Sequence, residues 1–502
     1  MHTYKFTAAL MLLFVTVQVS AQPAMDDARA SAAFEQYIKA TMPVWKTPGL
    51  SAVVIRNGNV VFRKGFGVID AGGKEPFTTA TLSACASTTK AMTAVCMGIL
   101  VDEGKIKWSD KVSDVLPSFK LSDPYSTAEI TVLDLFTHNT GLGNADFLWV
   151  MGYNREEIVQ RMQWIPPAYS LRASYIYQNL MYMVAGEVIK AVSGKTWDVF
   201  ITERIFNPLG MKHTYADHSA IPADETVAHP HYRHPETDSV MSIPYLYDDN
   251  IGAAGGVFSC ADDMAKWLQC MSDSSKGNGI RLIKPATWEF LFAPKIVIQG
   301  EMYPTMSIIE PHWQTYGMGW FQHDYRGRML NYHTGSLDGM TAIAGILQDQ
   351  HTAVYIFGNL DHAELRHALL YKALDLFAFG DNTNDWSGKF YPMYKGREDT
   401  VKNREKATMA KRINGTTPSL AISAYAGTFT NKLLGQITVE EKNGKLRVVF
   451  PNKTDILLEH WHYDIFRGTF TNWWNDHAWV QFYLDKEGRI SSISLDGDIF
   501  QK

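Results

Sequence analysis

Ser87-Thr88-Thr89-Lys90-Ala91-Met92-Thr93-Ala94-Val95-Cys96-Met97-Gly98-Ile99-Leu100 is the stretch on which the reading of this chain turns. A polar segment, Thr79-Ala80-Thr81, precedes it, and no charged residue follows Lys90 before Leu100. The pattern predicts the start of a buried helix. Residues three apart on a helix share a face, so this spacing brings the Lys90 amine to the Ser87 hydroxyl. A serine alkoxide is hard to make at neutral pH. A desolvated amine can serve as its base, because burial lowers a lysine's pKa. A serine at a helix start also has unpaired backbone N–H groups nearby. This is the only Ser-x-x-Lys in the 502 residues, but chance alone supplies about one or two in a chain of this size. Other segments have to decide.

Two do. Tyr177-Gln178-Asn179 is the only Tyr-x-Asn in the chain and precedes an apolar run, Leu180 to Ile189, that reads as a second buried helix. A phenol near a cationic lysine is expected to shed its proton more easily and to shuttle protons. An amide such as Asn179 can hold a lysine or a substrate amide. His333-Thr334-Gly335-Ser336 precedes two strand-like segments, 339–347 and 353–359. Gly335 permits close approach to the backbone. The N–H groups of Ser336 and Ser87 together can form an oxyanion hole. Taken singly, each has a plainer structural reading: a core tyrosine with a capping amide, and a turn with an incidental histidine.

Taken in order, the three resemble the serine β-lactamase and penicillin-binding protein superfamily, over about residues 30–380. Within it they resemble the class C-like serine hydrolase branch: class C β-lactamases, D-aminopeptidases, DD-carboxypeptidases and family VIII esterases. Pro48-Gly49-Leu50-Ser51, Leu133 to Leu142 and Ala254 to Ser259 support the resemblance. It implies an α/β (α+β) fold, a mixed sheet flanked by helices with a helical subdomain. It also implies Ser87 as the acylated nucleophile, Lys90 as its base and Tyr177 as proton shuttle. Asn179, His333, Thr334, Gly335 and Ser336 would bind substrate, with no metal and no cofactor. One position departs. Class C β-lactamases carry Lys where this chain has His333. Histidine is charged only in part at neutral pH, which favours a peptidase, amidase or esterase over penicillin hydrolysis. His333 can alternatively bond the Tyr177 phenol.

The rest of the chain sets the frame. Lys5, the apolar run 6–17 and Val19-Ser20-Ala21 read as a signal peptide over residues 1–21. That predicts a periplasmic or secreted bacterial protein with no membrane segment after cleavage. A net charge of −5 argues against nucleic acid as a partner. Residues 22–380 are expected to form the hydrolase domain, opened by a hairpin over 49–68 with an Asn57-Gly58 turn. Residues 381–418 read as a linker, polar with Gly and Pro up to 396 and carrying a charged helix after that. Residues 419–502 read as a small antiparallel β-barrel-like domain of seven strands. This part resembles a lipocalin-like domain, mainly through Tyr425-Ala426-Gly427-Thr428-Phe429.

The four cysteines, Cys85, Cys96, Cys260 and Cys270, are expected to be free core thiols, with a Cys260–Cys270 bridge as the alternative. His229 to His234 reads as a surface loop rather than a metal site. There is no G-x-S-x-G nucleophile elbow. The expected function is an exported serine hydrolase acting on a small peptide or amide. An esterase, a weak β-lactamase and a penicillin-recognising sensor are the alternatives. The β domain can mediate self-association into a homo-oligomer.

Overall fold

The computed structural model describes residues 25–245, 249–475 and 477–502. Residues 1–21, expected to be a signal peptide, lie outside them.

The β1 strand (Gly49–Arg56) turns through Asn57-Gly58 into β2 (Asn59–Gly67). Both turn residues have positive φ, 50° and 76°, which Asn-Gly supplies at low steric cost. The sheet is completed from the far end of the domain. Its other strands are β3 (Ile296–Val297), β4 (Gln314–Tyr316), β5 (Phe321–Tyr325), β6 (Arg328–Leu337), β7 (Met340–Leu347) and β8 (Thr352–Gly358). The order is β2-β1-β8-β7-β6-β5-β4-β3, with every pairing antiparallel.

The central strands are buried on both faces and read as near-continuous apolar runs. Their side chains alternate between two cores. Ala52, Val54, Ile343, Val354 and Ile356 join Phe34 and Ile38 of α1 (Asp27–Trp45) and Leu369 of a C-terminal helix, Leu365–Phe379. Val53, Ile55, Ala342, Ala353 and Tyr355 face the other way, into the core that also holds Met92 and Val95 of α2 (Thr89–Asp102). The helix laid against β1 and β8 on that face is Ala261–Ser272, while the turn before α2 packs on β6 and the first turn of α2 carries Lys90.

The chain leaves this domain differently from the expected linker. Helix starts already at Trp386 and runs to Met409, through Gly388 and Pro392. Asp385 caps it by accepting from the Gly388 N–H at 3.0 Å. Trp386 and Phe390 are buried against Tyr371. Aromatic burial of this kind outweighs the breaker residues that make the segment read as loop.

The C-terminal domain is a closed eight-stranded barrel: Gly427–Asn431, Gly435–Lys442, Lys445–Val449, Asp455–His462, Ile465–Phe470, His477–Leu484, Ile490–Leu495 and Asp498–Gln501. The eighth strand is too short to stand out in the sequence. It hairpins back through Asp496-Gly497, and its Gln501 pairs with Thr430 to close the barrel. The barrel docks on the helical side of the hydrolase domain. The Tyr153 hydroxyl donates to the Leu434 carbonyl at 2.8 Å, and the Asn452 amide donates to the Val150 carbonyl at 2.8 Å. Trp473 stacks on His234 with ring centroids 5.2 Å apart.

Residues 229–234 are not a simple surface loop. His231 opens a short strand, His231–Arg233, and is fully buried. Its Nε2 accepts the Ala71 N–H at 3.0 Å, and its Nδ1 donates to the Asn359 carbonyl at 2.9 Å. These bonds tie the segment after β2 to the end of β8. All four cysteines are buried with free thiols. Among the described residues, no helix is long and apolar enough to cross a membrane.

Candidate active site

Ser87 sits in a single 3₁₀ turn, Ala86–Thr88, that leads into α2. Ala86, just before it, has φ of +47°, a left-handed conformation that costs a non-glycine residue about 1–2 kcal/mol. The turn is wedged against β6. A Cβ on Gly335 would lie 2.2 Å from the Cys85 carbonyl oxygen and 3.1 Å from the Ala86 Cβ. Only glycine lets the Thr334-Gly335 strand pass this close to the serine.

Lys90 is fully buried. Its Nζ has three partners: Ser87 Oγ at 3.0 Å, Asn179 Oδ1 at 2.7 Å and the Ala254 carbonyl at 2.7 Å. Two of these only accept. Burial pushes the Lys90 ammonium down to about 7, opposed in part by the charge of Asp146. An amine at this position has two hydrogens for its two acceptors, so its lone pair is left for the Ser87 hydroxyl proton.

Tyr177 and Asn179 bracket the start of the helix Asn179–Ser193. Gln178 caps it by accepting the Leu180 N–H at 3.1 Å. His138 holds the same segment from below. Its Nδ1 accepts the Gln178 N–H at 3.0 Å, and its ring lies 4.4 Å from that of Tyr177. The Lys90 Nζ stands 4.9 Å from the Tyr177 ring centroid. The expectation that lysine would ease ionisation of this phenol is not met. Burial holds Tyr177 well above the ordinary tyrosine value, and the neighbouring Ser87 hydroxyl opposes this only partly. Tyr177 is a neutral hydroxyl that can donate and accept, not a phenolate.

His333 and Thr334 are buried in β6, Gly335 underlies the serine turn, and Ser336 is exposed. His333 does not bond Tyr177. Its Nδ1 donates to the Thr334 carbonyl at 2.6 Å, and its Nε2 accepts from the Tyr316 hydroxyl at 3.1 Å. Burial, with Lys90 nearby, pushes its pKa down to about 3. His333 is thus a neutral imidazole. The Ser336 hydroxyl accepts from Arg366 at 2.8 Å, and Arg366 is paired in turn with buried Glu364 at 2.9 Å.

The structure thus brings Ser87, Lys90, Tyr177, Asn179, His333, Thr334, Gly335 and Ser336 together. It also adds residues that their motifs did not announce. Ala254 contributes a carbonyl from a segment notable only as a likeness. Tyr316 bonds the Nε2 of His333, whose tautomer the Thr334 carbonyl fixes. Asp146 accepts the Asn179 amide at 3.1 Å, and nothing in the sequence marks that aspartate. Among the described residues, no three metal-ligating side chains converge.

Residues 34–378 match the Beta-lactamase family, and the chain belongs to that family. Residues 411–501 match a domain of unknown function (DUF3471). An unguisins hydrolase of Aspergillus violaceofuscus is 25% identical over 471 residues, 87% of this chain and 82% of that protein. A second, from Aspergillus campestris, is 27% identical over 82% of this chain and 78% of that protein. Protein flp of Staphylococcus aureus is 23% identical over 62% of this chain and 60% of that protein. The octameric penicillin-binding protein homologue of Pyrococcus abyssi shares the fold, with a TM-score of 0.63 at 20% identity over 94% of this chain and 99% of that one. SurE does so with a TM-score of 0.58 at 17% identity over 95% of this chain and 98% of that one.

Proposed function

We propose that this chain is a serine hydrolase that cleaves an amide or peptide bond of a small peptide through an acyl-enzyme on Ser87. The observation that carries this reading is the set of three partners around Lys90, two of them acceptors, which leaves the amine lone pair for the Ser87 proton. As the Ser87 Oγ attacks the scissile carbonyl carbon, Lys90 takes its proton. The oxyanion that forms faces the backbone N–H groups of Ser87 and Ser336. Collapse breaks the C–N bond. The proton passes from Lys90 through the Tyr177 hydroxyl to the leaving nitrogen, and the acyl group stays esterified to Ser87. Water, deprotonated by the same relay, attacks the ester, releases the acid and restores the Ser87 hydroxyl.

The neutral His333 supports a substrate without a carboxylate at that position, hence an internal, cyclic or C-terminally blocked peptide rather than a penicillin. The unguisins hydrolases, which are named for hydrolysis, agree with the reaction type. Residues 1–21 support action outside the cytoplasm. An octameric relative makes a homo-oligomer a reasonable assembly for this chain too.

The test is a substrate panel: D- and L-aminoacyl amides, linear and cyclic peptides, p-nitrophenyl esters and a chromogenic cephalosporin. Turnover of amides or peptides above the cephalosporin is expected. Turnover of the esters alone would replace the reading with a carboxylesterase. Turnover of the cephalosporin alone would replace it with a β-lactamase.

A further inference from the structure

Asn179 sits between two groups of opposite need. Its Oδ1 accepts from Lys90 at 2.7 Å, while its Nδ2 donates to Asp146 Oδ2 at 3.1 Å. A carboxylate can only accept, so Asp146 dictates which end of the amide faces which neighbour. The alternative orientation is nearly isosteric. It would present the Asn179 NH₂ to Lys90, and that donor would occupy the amine lone pair otherwise aimed at Ser87.

Asp146 is itself held from two sides. Within its own loop, the Asn144 amide donates to Asp146 Oδ2 at 3.2 Å, and Asn144 Oδ1 accepts the Asp146 N–H at 3.0 Å. The residues that follow it, Phe147–Val150, form one helical turn on which the barrel rests. Phe147 meets Phe450 edge-on at 6.1 Å between centroids, and Asn452 bonds the Val150 carbonyl. A Cβ on Gly152 would lie 3.3 Å from the Asn452 Cβ, so the two surfaces fit closely.

Resting on the proposed role of Ser87 and Lys90, we propose that Asp146 is a positioning residue that acts on Lys90 through Asn179, and that the C-terminal barrel holds it in place. Tyr177 and Tyr182 present their rings to the Lys90 amine, and His138, His333 and Asp146 are close enough to couple to it electrostatically. The tyrosines are neutral, and burial holds both histidines neutral. The charge of Asp146 holds the Lys90 titration up against burial, so removing that charge moves the titration to lower pH.

The experiment is the pH dependence of single-turnover acylation of the full-length protein by p-nitrophenyl acetate. Asp146→Asn is expected to lower the plateau rate at least tenfold and to displace the inflection below that of wild type. Asp146→Glu, which keeps the charge, is expected to lose rate while its inflection stays near the wild-type position, so a poorly folding Asn variant leaves the idea testable. The barrel double variant Phe450→Ala/Asn452→Ala is expected to lose rate severalfold with the inflection displaced in the same direction. A wild-type profile for Asp146→Asn, or a slower one with an unmoved inflection, would overturn the proposal. A wild-type profile in the double variant would overturn the barrel's part. Absence of any acylation of Ser87 in wild type would instead overturn the reading of function, and this proposal with it.

Discussion

The Nζ of Lys90 lies 3.0 Å from the Oγ of Ser87, and the two other partners of that nitrogen, Asn179 Oδ1 and the Ala254 carbonyl, can only accept. The consequence is directional. When Lys90 is an ammonium it donates three bonds and cannot take a proton. When it is an amine, the bond to Ser87 reverses and the serine hydroxyl becomes the donor.

Acylation should therefore rise with pH as Lys90 loses its proton, with the inflection near 7, to which burial lowers it. Below that value the ammonium form is inert, and above it the rate reaches a plateau. Stopped-flow acylation across pH 5–9 checks this. Lys90→Ala should reduce the plateau about a thousandfold, in the range expected for loss of a general base.

Tyr177→Phe should cost less than loss of Lys90. The phenol is held neutral far above the working pH, so its part is to relay a proton, and water can replace it in part. A fall of about ten- to a hundredfold is expected, with no loss of an inflection near neutrality. Comparing the wild-type and variant pH profiles decides it.

Substrate pairs that differ only at the C terminus should show no preference for a free carboxylate. His333 has a pKa pushed down to about 3 and stays neutral throughout the working range. The ratio of kcat/KM for a peptide amide over the matching free acid should be one or more. A strong preference for the free acid would mean that another cation holds it.

Glu364 is the buried counter-ion of Arg366 and also accepts from His367 at 2.6 Å. Burial alone would raise its carboxyl, but those partners outweigh it and hold the group well below the ordinary value of 4.5. The folded state thus binds its proton more weakly than the unfolded chain. The stability it contributes is complete above the ordinary carboxylate range and is lost as pH falls below it. Glu364→Gln strands a buried guanidinium and should cost about 3–5 kcal/mol at neutral pH, read from denaturant unfolding.

Ala86→Gly should gain about 1 kcal/mol by relieving the positive φ before the nucleophile. Gly335→Ala should do the reverse, because its Cβ would collide with the Cys85 carbonyl and push β6 from the serine turn. Thermal unfolding measures both. Acylation should fall in Gly335→Ala more than its loss of stability explains.

Much of this architecture is legible in the sequence because it is local. Asn57-Gly58 specifies its hairpin, and the Ser87–Lys90 spacing specifies a shared helical face. Three features are not local. The Trp386 helix starts where Gly and Pro read as linker, because Trp386 and Phe390 find a distant core at Tyr371. The ionisation state of Tyr177 depends on burial that no spacing reveals. Asp146 reaches Asn179 across 33 positions of chain, through a loop whose composition resembles any other.

The most direct measurement of the central claim is mass spectrometry of the full-length protein after reaction with a fluorophosphonate, with peptide mapping of the adduct. One adduct is predicted, on Ser87. It should be absent in Ser87→Ala and form orders of magnitude more slowly in Lys90→Ala. An unlabelled wild-type protein, or an adduct on another residue with Ser87→Ala fully active, would contradict it.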